Sequence, residues 1–299
     1  MRARKLMTVA SGVWLFGSGC LLLADPPELY DTVDQSGFEG PMITPEPSWI
    51  DLAVSLIEVC ALDEVGAMWC GDGERMQLED QGPFVSISAG ETGGICAVYE
   101  TGLLRCGFGY SSADFELPED YVAVSGGSDN GCGLRASGHA RCWPKAASVS
   151  GPFGSLGAGN RFACGILRGS GILTCWAIDS LIFEESLSDV PPGRYTRVAT
   201  HGNVGCAISS TGAIRCWGYD FDDLLPGPAS DNYVDLALTT GGACAVTETG
   251  SIVCWGEDTT DPNNSEFFPP TDESFVRIAL DWGWGCGITT DARLVCWGD

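Results

Sequence analysis

The sequence predicts an all-β fold: a seven-bladed β-propeller of three- to four-stranded antiparallel blades, with one disulfide per blade. Three observations lead there. Fourteen of the 15 cysteines form seven pairs, Cys60/Cys70, Cys96/Cys106, Cys132/Cys142, Cys164/Cys175, Cys206/Cys216, Cys244/Cys254 and Cys286/Cys296; six pairs are ten residues apart and the fourth is eleven apart. An aromatic residue stands eleven positions before the first cysteine of each pair, twelve in one case: Trp49, Phe84, Tyr121, Phe153, Tyr195, Tyr233 and Phe275. The unit recurs every 32 to 42 residues in a chain of 299 with 41 Gly and 16 Pro. Such a period marks stacked repeats rich in turns.

Each unit reads as three strands. After the aromatic the chain alternates, as in Ile50-Asp51-Leu52, Val122-Ala123-Val124 and Val276-Arg277-Ile278; period two with β-branched residues is a strand signal. A short Gly-rich loop follows, and the first cysteine opens a second strand, as in Cys96-Ala97-Val98. A turn comes next with glycine at a fixed place (Gly66, Gly102, Gly138, Gly171, Gly212, Gly250); the seventh unit has Ala292 there. The third strand closes on Cys-Trp, often Cys-Trp-Gly, as in Cys216-Trp217-Gly218.

The hairpin fixes the cysteine pairing. A type I turn followed by a left-handed glycine makes Glu100-Thr101-Gly102 a three-residue loop with a bulge, and sets Tyr99 opposite Leu103. Counting back sets Val98 opposite Leu104, Ala97 opposite Arg105 and Cys96 opposite Cys106. At a non-hydrogen-bonded pair the Cα atoms lie roughly 4.5 Å apart, within disulfide reach. Zinc sites use Cys-x2–4-Cys spacing or added histidine, which these pairs do not offer. Seven cross-strand disulfides, each within its own unit, are predicted. One such sheet cannot bury both faces, so the units must stack. The Trp after the second cysteine points away from the disulfide and is expected to pack between blades.

The N-terminus reads as an address. Arg2, Arg4 and Lys5 precede an apolar run over Leu6–Phe16, then Gly17-Ser18-Gly19 and Cys20. This resembles a bacterial lipoprotein signal over 1–19, with Cys20 the lipidated residue, although Gly17 stands where Leu is usual. An uncleaved anchor over Leu6–Ala24 and ordinary secretion are the alternatives. All three export the rest, in keeping with the cysteine content. Residues 20–48 form a Pro- and acid-rich spacer, in which 42–45 is a candidate outer strand for blade 7, and 49–299 is the propeller.

The pattern aromatic-Val-x-Ile, Cys-Ala-Val, Thr-Gly-x-Ile-x-Cys-Trp-Gly resembles the regulator of chromosome condensation (RCC1-like) repeat family, in the Cys-paired form of exported bacterial proteins. The likeness spans about 49–299, and the short repeat resembles the compact blades of β-lactamase inhibitor protein II. Repeats 1 and 2 depart from it with Gly71 and Gly107 in place of Trp, and repeat 4 carries an inserted residue. The resemblance implies a seven-bladed propeller. The family's nucleotide-exchange activity is not carried over, because no motif for it maps onto this chain.

Composition narrows the function. With 40 Asp+Glu against 15 Lys+Arg the formal charge is −25, so nucleic acid is not an expected partner. Two histidines, His139 and His201, cannot make a multi-histidine metal site, and the only lysines, Lys5 and Lys145, follow no phosphate loop. No catalytic residues, metal or cofactor are expected. In a propeller blade the loops between strands one and two, and the residues after Cys-Trp-Gly, share one face, here called face A; the opposite face is face B. Asp220, Asp222, Asp223, Glu257 and Asp258 fall on face A with Trp282 and Trp284, a candidate binding face for a protein, a glycan or a basic partner. The expectation is a non-enzymatic, monomeric recognition module, lipid-anchored at the cell envelope, outer membrane or cell surface. A propeller hydrolase or lyase, and a structural envelope protein without a specific ligand, are the alternatives.

Overall fold

The computed structural model of the protein describes residues 47–72, 75–90, 94–108, 115–118, 120–126, 129–143, 148–159, 161–178, 187, 189–218, 227–228, 232–256, 268–281 and 284–298. These residues belong to one compact unit, Pro45–Asp299. Cys20 and the candidate strand 42–45 lie outside the described residues.

Seven antiparallel sheets follow one another along the chain. Blade 1 is β1 (Trp49–Val54), β2 (Val59–Asp63), β3 (Met68–Gly71) and β4 (Met76–Asp80); blade 2 is β5 (Phe84–Ala89), β6 (Ile95–Tyr99), β7 (Leu104–Phe108) and β8 (Phe115–Leu117). Blade 3 is β9 (Tyr121–Gly126), β10 (Gly131–Arg135), β11 (Ala140–Trp143) and β12 (Ser148–Val149). The last four blades have three described strands each: β13 (Phe153–Ala158), β14 (Phe162–Leu167) and β15 (Leu173–Ala177); β16 (Tyr195–His201), β17 (Val204–Ser209) and β18 (Ile214–Gly218); β19 (Tyr233–Thr239), β20 (Gly242–Thr247) and β21 (Ile252–Trp255); β22 (Phe275–Asp281), β23 (Trp284–Thr289) and β24 (Leu294–Gly298).

The hairpin register is the predicted one. Tyr99 N–H donates to Leu103 O, Gly102 N–H to Tyr99 O, and Cys96 lies opposite Cys106. All seven disulfides form within their blades, with Cα atoms 4.0–4.1 Å apart. In blade 4 the inserted residue is absorbed in the turn, where Gly169 and Gly171 both take positive φ and Cys164 still faces Cys175.

The seven disulfides differ in how deeply their second cysteine is buried. The first cysteine of every pair is buried: Cys60, Cys96, Cys132, Cys164, Cys206, Cys244 and Cys286 all sit on the middle strand of a hairpin flanked on both sides. The second cysteine differs between blades. Cys70, Cys106, Cys142 and Cys216 are buried, the first three in blades with a described fourth strand. Cys175, Cys254 and Cys296 are only half-buried. They stand on β15, β21 and β24, the outermost described strands of blades 4, 6 and 7. Cys254 still bonds to Cys244 and packs with Phe275 and Ile278 of the next blade. Cys296 bonds to Cys286 and packs with Trp49 and Leu52 across the ring closure. The spacing within each pair fixes the partner of each cysteine but carries no information on what covers the outer strand.

The turn glycine links blades. Its carbonyl accepts the N–H of the next blade's aromatic: Gly66 from Phe84, Gly102 from Tyr121, Gly138 from Phe153, Gly171 from Tyr195, Gly212 from Tyr233 and Gly250 from Phe275. The ring closes the same way, Trp49 N–H donating to Ala292 O at 2.9 Å. Positive φ and proximity both require glycine here: at Gly212 φ is 84°, and a Cβ would stand 2.5 Å from Asn232 Cα. Ala292 adopts φ 63° despite its side chain.

Packing between blades follows one rule. The disulfide face of each blade lies against the aromatic face of the next. Trp143 covers the Cys96 and Cys106 side of blade 2; Trp217 lies in the cluster of Cys164 and Phe162; Trp176 donates from Nε1 to Cys142 Sγ at 3.3 Å. Blade 7 meets blade 1 likewise, with Cys286 and Ile288 against Trp49, Leu52 and Val59. Blade 1 lacks a Trp after Cys70, but Trp69, just before it, points the same way and packs into that cluster.

Each innermost strand departs from simple alternation. The register shifts between the aromatic and the residue two positions on in every blade, so the residue between them has no partner on the adjacent strand. This β-bulge turns Ile50, Val85, Val122, Val234 and Val276 outward, at 41–48% exposure, although alternation groups Ile50 with the buried Leu52.

Candidate functional site

Strand register defines the faces. In blade 5 His201 pairs with Val204 and Val204 with Gly218; in blade 7 Asp281 pairs with Trp284 and Trp284 with Gly298. The end of the first strand, the start of the second and the end of the third therefore meet on face A. Asp220, Asp222, Asp223, Glu257, Asp258 and Trp282 lie outside the described residues. Trp284 opens β23, is half-buried, and packs against the cluster joining blades 7 and 1. The sequence reading did not single out Leu56 and Ile57, which stand 42% and 53% exposed in the blade 1 loop of this face.

The axis is built from the first strands. Three residues after each aromatic comes an apolar ring, Leu52, Ile87, Val124, Leu156, Val198, Leu236 and Ile278, its described members largely buried. Above it, toward face A, small residues surround an axial cavity of about 200 Å3 that includes Ala53, Ser88, Ser125, Gly157, Ala199, Ala237 and Ala279. Its mouth is lined by Val54, Ala89, Gly126, Ala158, Thr200, Leu238 and Leu280, with Asn130, His201 and Asp281 at the rim. His201 Nε2 sits 3.1 Å from Thr240 Oγ1.

Polar side chains on these strands stitch blade to blade. The inner edge of each first strand has no further strand beyond it, and its N–H groups need acceptors. Ser88 Oγ accepts Gly126 N–H (3.0 Å) and Ser125 Oγ accepts Ala158 N–H (2.9 Å). One level below, Asp51 Oδ2 accepts from Ile87 N–H (3.4 Å), Ser86 Oγ from Val124 N–H (3.3 Å) and Asp235 Oδ2 from Ile278 N–H (3.0 Å). Arg197 Nε donates to Asp235 Oδ1 at 2.6 Å, and Arg277 pairs with Asp51 across the ring closure. Burial pushes the Asp51 and Asp235 carboxyls above the ordinary carboxylate value, against the opposing pull of Arg277 and Arg197 respectively. These serines and carboxylates hold the ring together, so their hydroxyls and charges are committed.

Among the described residues one cluster has metal-ligand types, Glu58 with Cys60 and Cys70. Its two sulfurs are bonded to each other and offer no thiolate, so the set does not fit a metal.

No family model and no curated protein matches the chain. Solved structures do. The CRINKLY WD40 ectodomain of the Arabidopsis thaliana receptor kinase ACR4 is 22% identical with a TM-score of 0.67, over 85% of this chain and 96% of that one. The ectodomain of the Physcomitrella patens receptor kinase CR4 is 21% identical with a TM-score of 0.68, over 85% and 74%. Prp20p of Saccharomyces cerevisiae, the yeast RCC1, is 12% identical with a TM-score of 0.55, over 84% and 82%. The likeness is one of fold, an RCC1-like β-propeller.

Proposed function

We propose that the chain is an exported, lipid-anchored recognition module that binds a protein partner through face A. Seven disulfides suit an oxidising, extracellular setting. The observation that carries the reading is where the chain enters the ring. Trp49 starts β1 at the face B end, hydrogen-bonded to the blade 7 turn. The chain that leads from Cys20 thus enters the propeller at the end of β1 opposite face A. Face A holds the loops that differ most between repeats, including the exposed Leu56 and Ile57. The Ser88 and Ser125 hydroxyls and the Asp235 carboxylate of the inner strands are engaged between blades. Propellers of this shape are known in complexes: yeast RCC1 has been solved bound to Kap60.

A pull-down from the source organism's envelope tests this, with the oxidised chain and a Trp282→Ala/Trp284→Ala variant as baits. A protein held by the first and lost by the second is the expected result. Equal capture by both moves the site off this loop, and capture by neither removes the recognition reading.

A further inference from the structure

We propose that the axial cavity at face A binds a neutral, hydroxyl-rich group of monosaccharide size. The inference goes beyond face A recognition and stands without it, because it concerns a different set of atoms.

The starting point is which inner-edge N–H groups have a side-chain acceptor. Gly126 and Ala158 show that the N–H five residues after the aromatic points to the residue four after the aromatic in the preceding blade. That residue is serine for those two blades only. Elsewhere it is Ala53, Gly157, Ala199, Ala237 or Ala279, which bring no acceptor to Ala89, Thr200, Leu238, Leu280 or Val54. Gly157 cannot be replaced by a capping residue, since a Cβ there would stand 2.9 Å from Val198 O. Five backbone donors of common register are thus left at the mouth of the cavity. One side chain repeats the pattern: Thr200 Oγ1 is buried with no hydrogen-bond partner among the described residues, on a residue that lines the cavity. A buried hydroxyl in that state calls for a ligand or water.

The chemistry of the wall selects the ligand. At non-hydrogen-bonded positions of an antiparallel pair both N–H and C=O face away from the partner strand. The axis therefore presents donors and acceptors in alternation. A carboxylate or sulfate could use only the donors, and an ammonium only the acceptors. A hydroxyl group uses both. The volume, about 200 Å3, corresponds to roughly six or seven waters at ~30 Å3 each, the size of one sugar ring. His201, Asn130 and Asp281 at the rim add side chains suited to hydroxyl groups at the entrance.

The test is saturation-transfer NMR on the oxidised full chain with glucose, galactose and N-acetylglucosamine, beside galacturonate and glucosamine as charged counterparts, followed by titration of the strongest binder. At least one neutral sugar is expected to bind, more tightly than either charged one. Ala199→Ser/Ala237→Ser installs the caps that Ser88 and Ser125 provide elsewhere, withdrawing the Leu238 and Leu280 donors; it should weaken binding about tenfold and leave the melting temperature at or above that of the unaltered chain. Thr200→Val should weaken it about fivefold. No saturation transfer from any neutral sugar, equal binding of the charged sugars, or binding unaffected by both variants overturns the proposal and leaves only ordered water at the axis. Envelope capture by the unaltered chain is read in parallel: capture kept while no neutral sugar binds that chain refutes the axial site without touching the face A reading.

Discussion

Exchanging one Trp–Gly pair between blades should show how the ring is packed. In the register, the Trp after each second cysteine faces the residue before the first: Gly131 with Trp143, Ala163 with Trp176, Gly205 with Trp217, Ala243 with Trp255 and Gly285 with Trp297. Where the Trp is missing in blade 1, Val59 faces Gly71. A Cβ on Gly205 would lie 2.4 Å from Trp217 Cζ2, and one on Gly285 2.4 Å from Trp297 Cε2. Gly205→Val should therefore destabilise by about 1–3 kcal/mol through overpacking. Trp217, only 2% exposed, should cost about 3–5 kcal/mol when cut to Gly, through lost burial and the cavity left behind. The double variant reproduces the Val59/Gly71 arrangement and should cost less than the two singles together by about 1.5–3 kcal/mol. Guanidinium denaturation of the oxidised chains, followed by far-UV circular dichroism at constant m, gives all four stabilities. Single costs that add to within about 0.5 kcal/mol would refute the idea that one volume is shared by the two positions.

Three further outcomes are expected. Cys206→Ala/Cys216→Ala opens one disulfide at a separation of ten residues and should cost about 2–3 kcal/mol in the same denaturation assay; an unchanged midpoint would mean that the cross-link adds nothing beyond packing. Ala292→Gly, at φ 63° in the ring-closing turn, relieves a left-handed alanine and should stabilise by about 0.5–1 kcal/mol after the added backbone entropy of the unfolded chain, while Gly212→Ala should destabilise. The Asp235 carboxyl is raised in the folded chain by burial, so the native state holds its proton more firmly than the unfolded chain. Its contribution is present below the unfolded value near 3.8 and is lost as pH rises through the folded value. The melting temperature of the protein relative to Asp235→Asn should accordingly fall between acid and neutral pH; a rise would show that the Arg197 pairing outweighs burial.

What the sequence discloses is what is local. The three-residue turn lies within the hairpin it organises, so the distance from Gly102 to the two cysteines is enough to place Cys96 opposite Cys106. The same count pairs Cys244 with Cys254 and Cys286 with Cys296, yet it is blind to the lesser cover over Cys254 and Cys296, which depends on chain beyond the hairpin. The bulge was hidden because Ile50-Asp51-Leu52 alternates in composition while the backbone breaks step between Trp49 and Asp51. The stitches were hidden for another reason. Ser88 reaches Gly126 and Asp51 reaches Ile87 across 38 and 36 residues, and a serine or aspartate in a strand gives no local sign of which backbone group it serves. The Trp–Gly complementarity was within reach, since Gly71 and Val59 depart together from the commoner pattern in the same repeat. The candidate face A residues Asp220, Asp222, Asp223, Glu257, Asp258 and Trp282 come from topology alone, and the envelope pull-down tests Trp282 among them.

Repetition changes what a departure means. In a single-copy fold an alanine lining a cavity says little, since nothing shows what else the position could hold. Here seven equivalent positions answer that question. Serine at the fourth residue after the aromatic is compatible with the blade, as Ser88 and Ser125 demonstrate by the hydrogen bonds they accept. Alanine at Ala53, Ala199, Ala237 and Ala279 is therefore a choice that leaves backbone donors open at the axis, whereas glycine at Gly157 is forced by the approach of Val198. The same comparison separates Ala292, which leaves a ring-closing turn strained where the other six have glycine, from Trp69, which keeps the packing of its blade by a different route. Departures that keep the packing need no function to explain them. The four alanines leave a polar cost unanswered within the described residues, and that asymmetry is the reason to look for a ligand at the axis rather than at any other gap between blades.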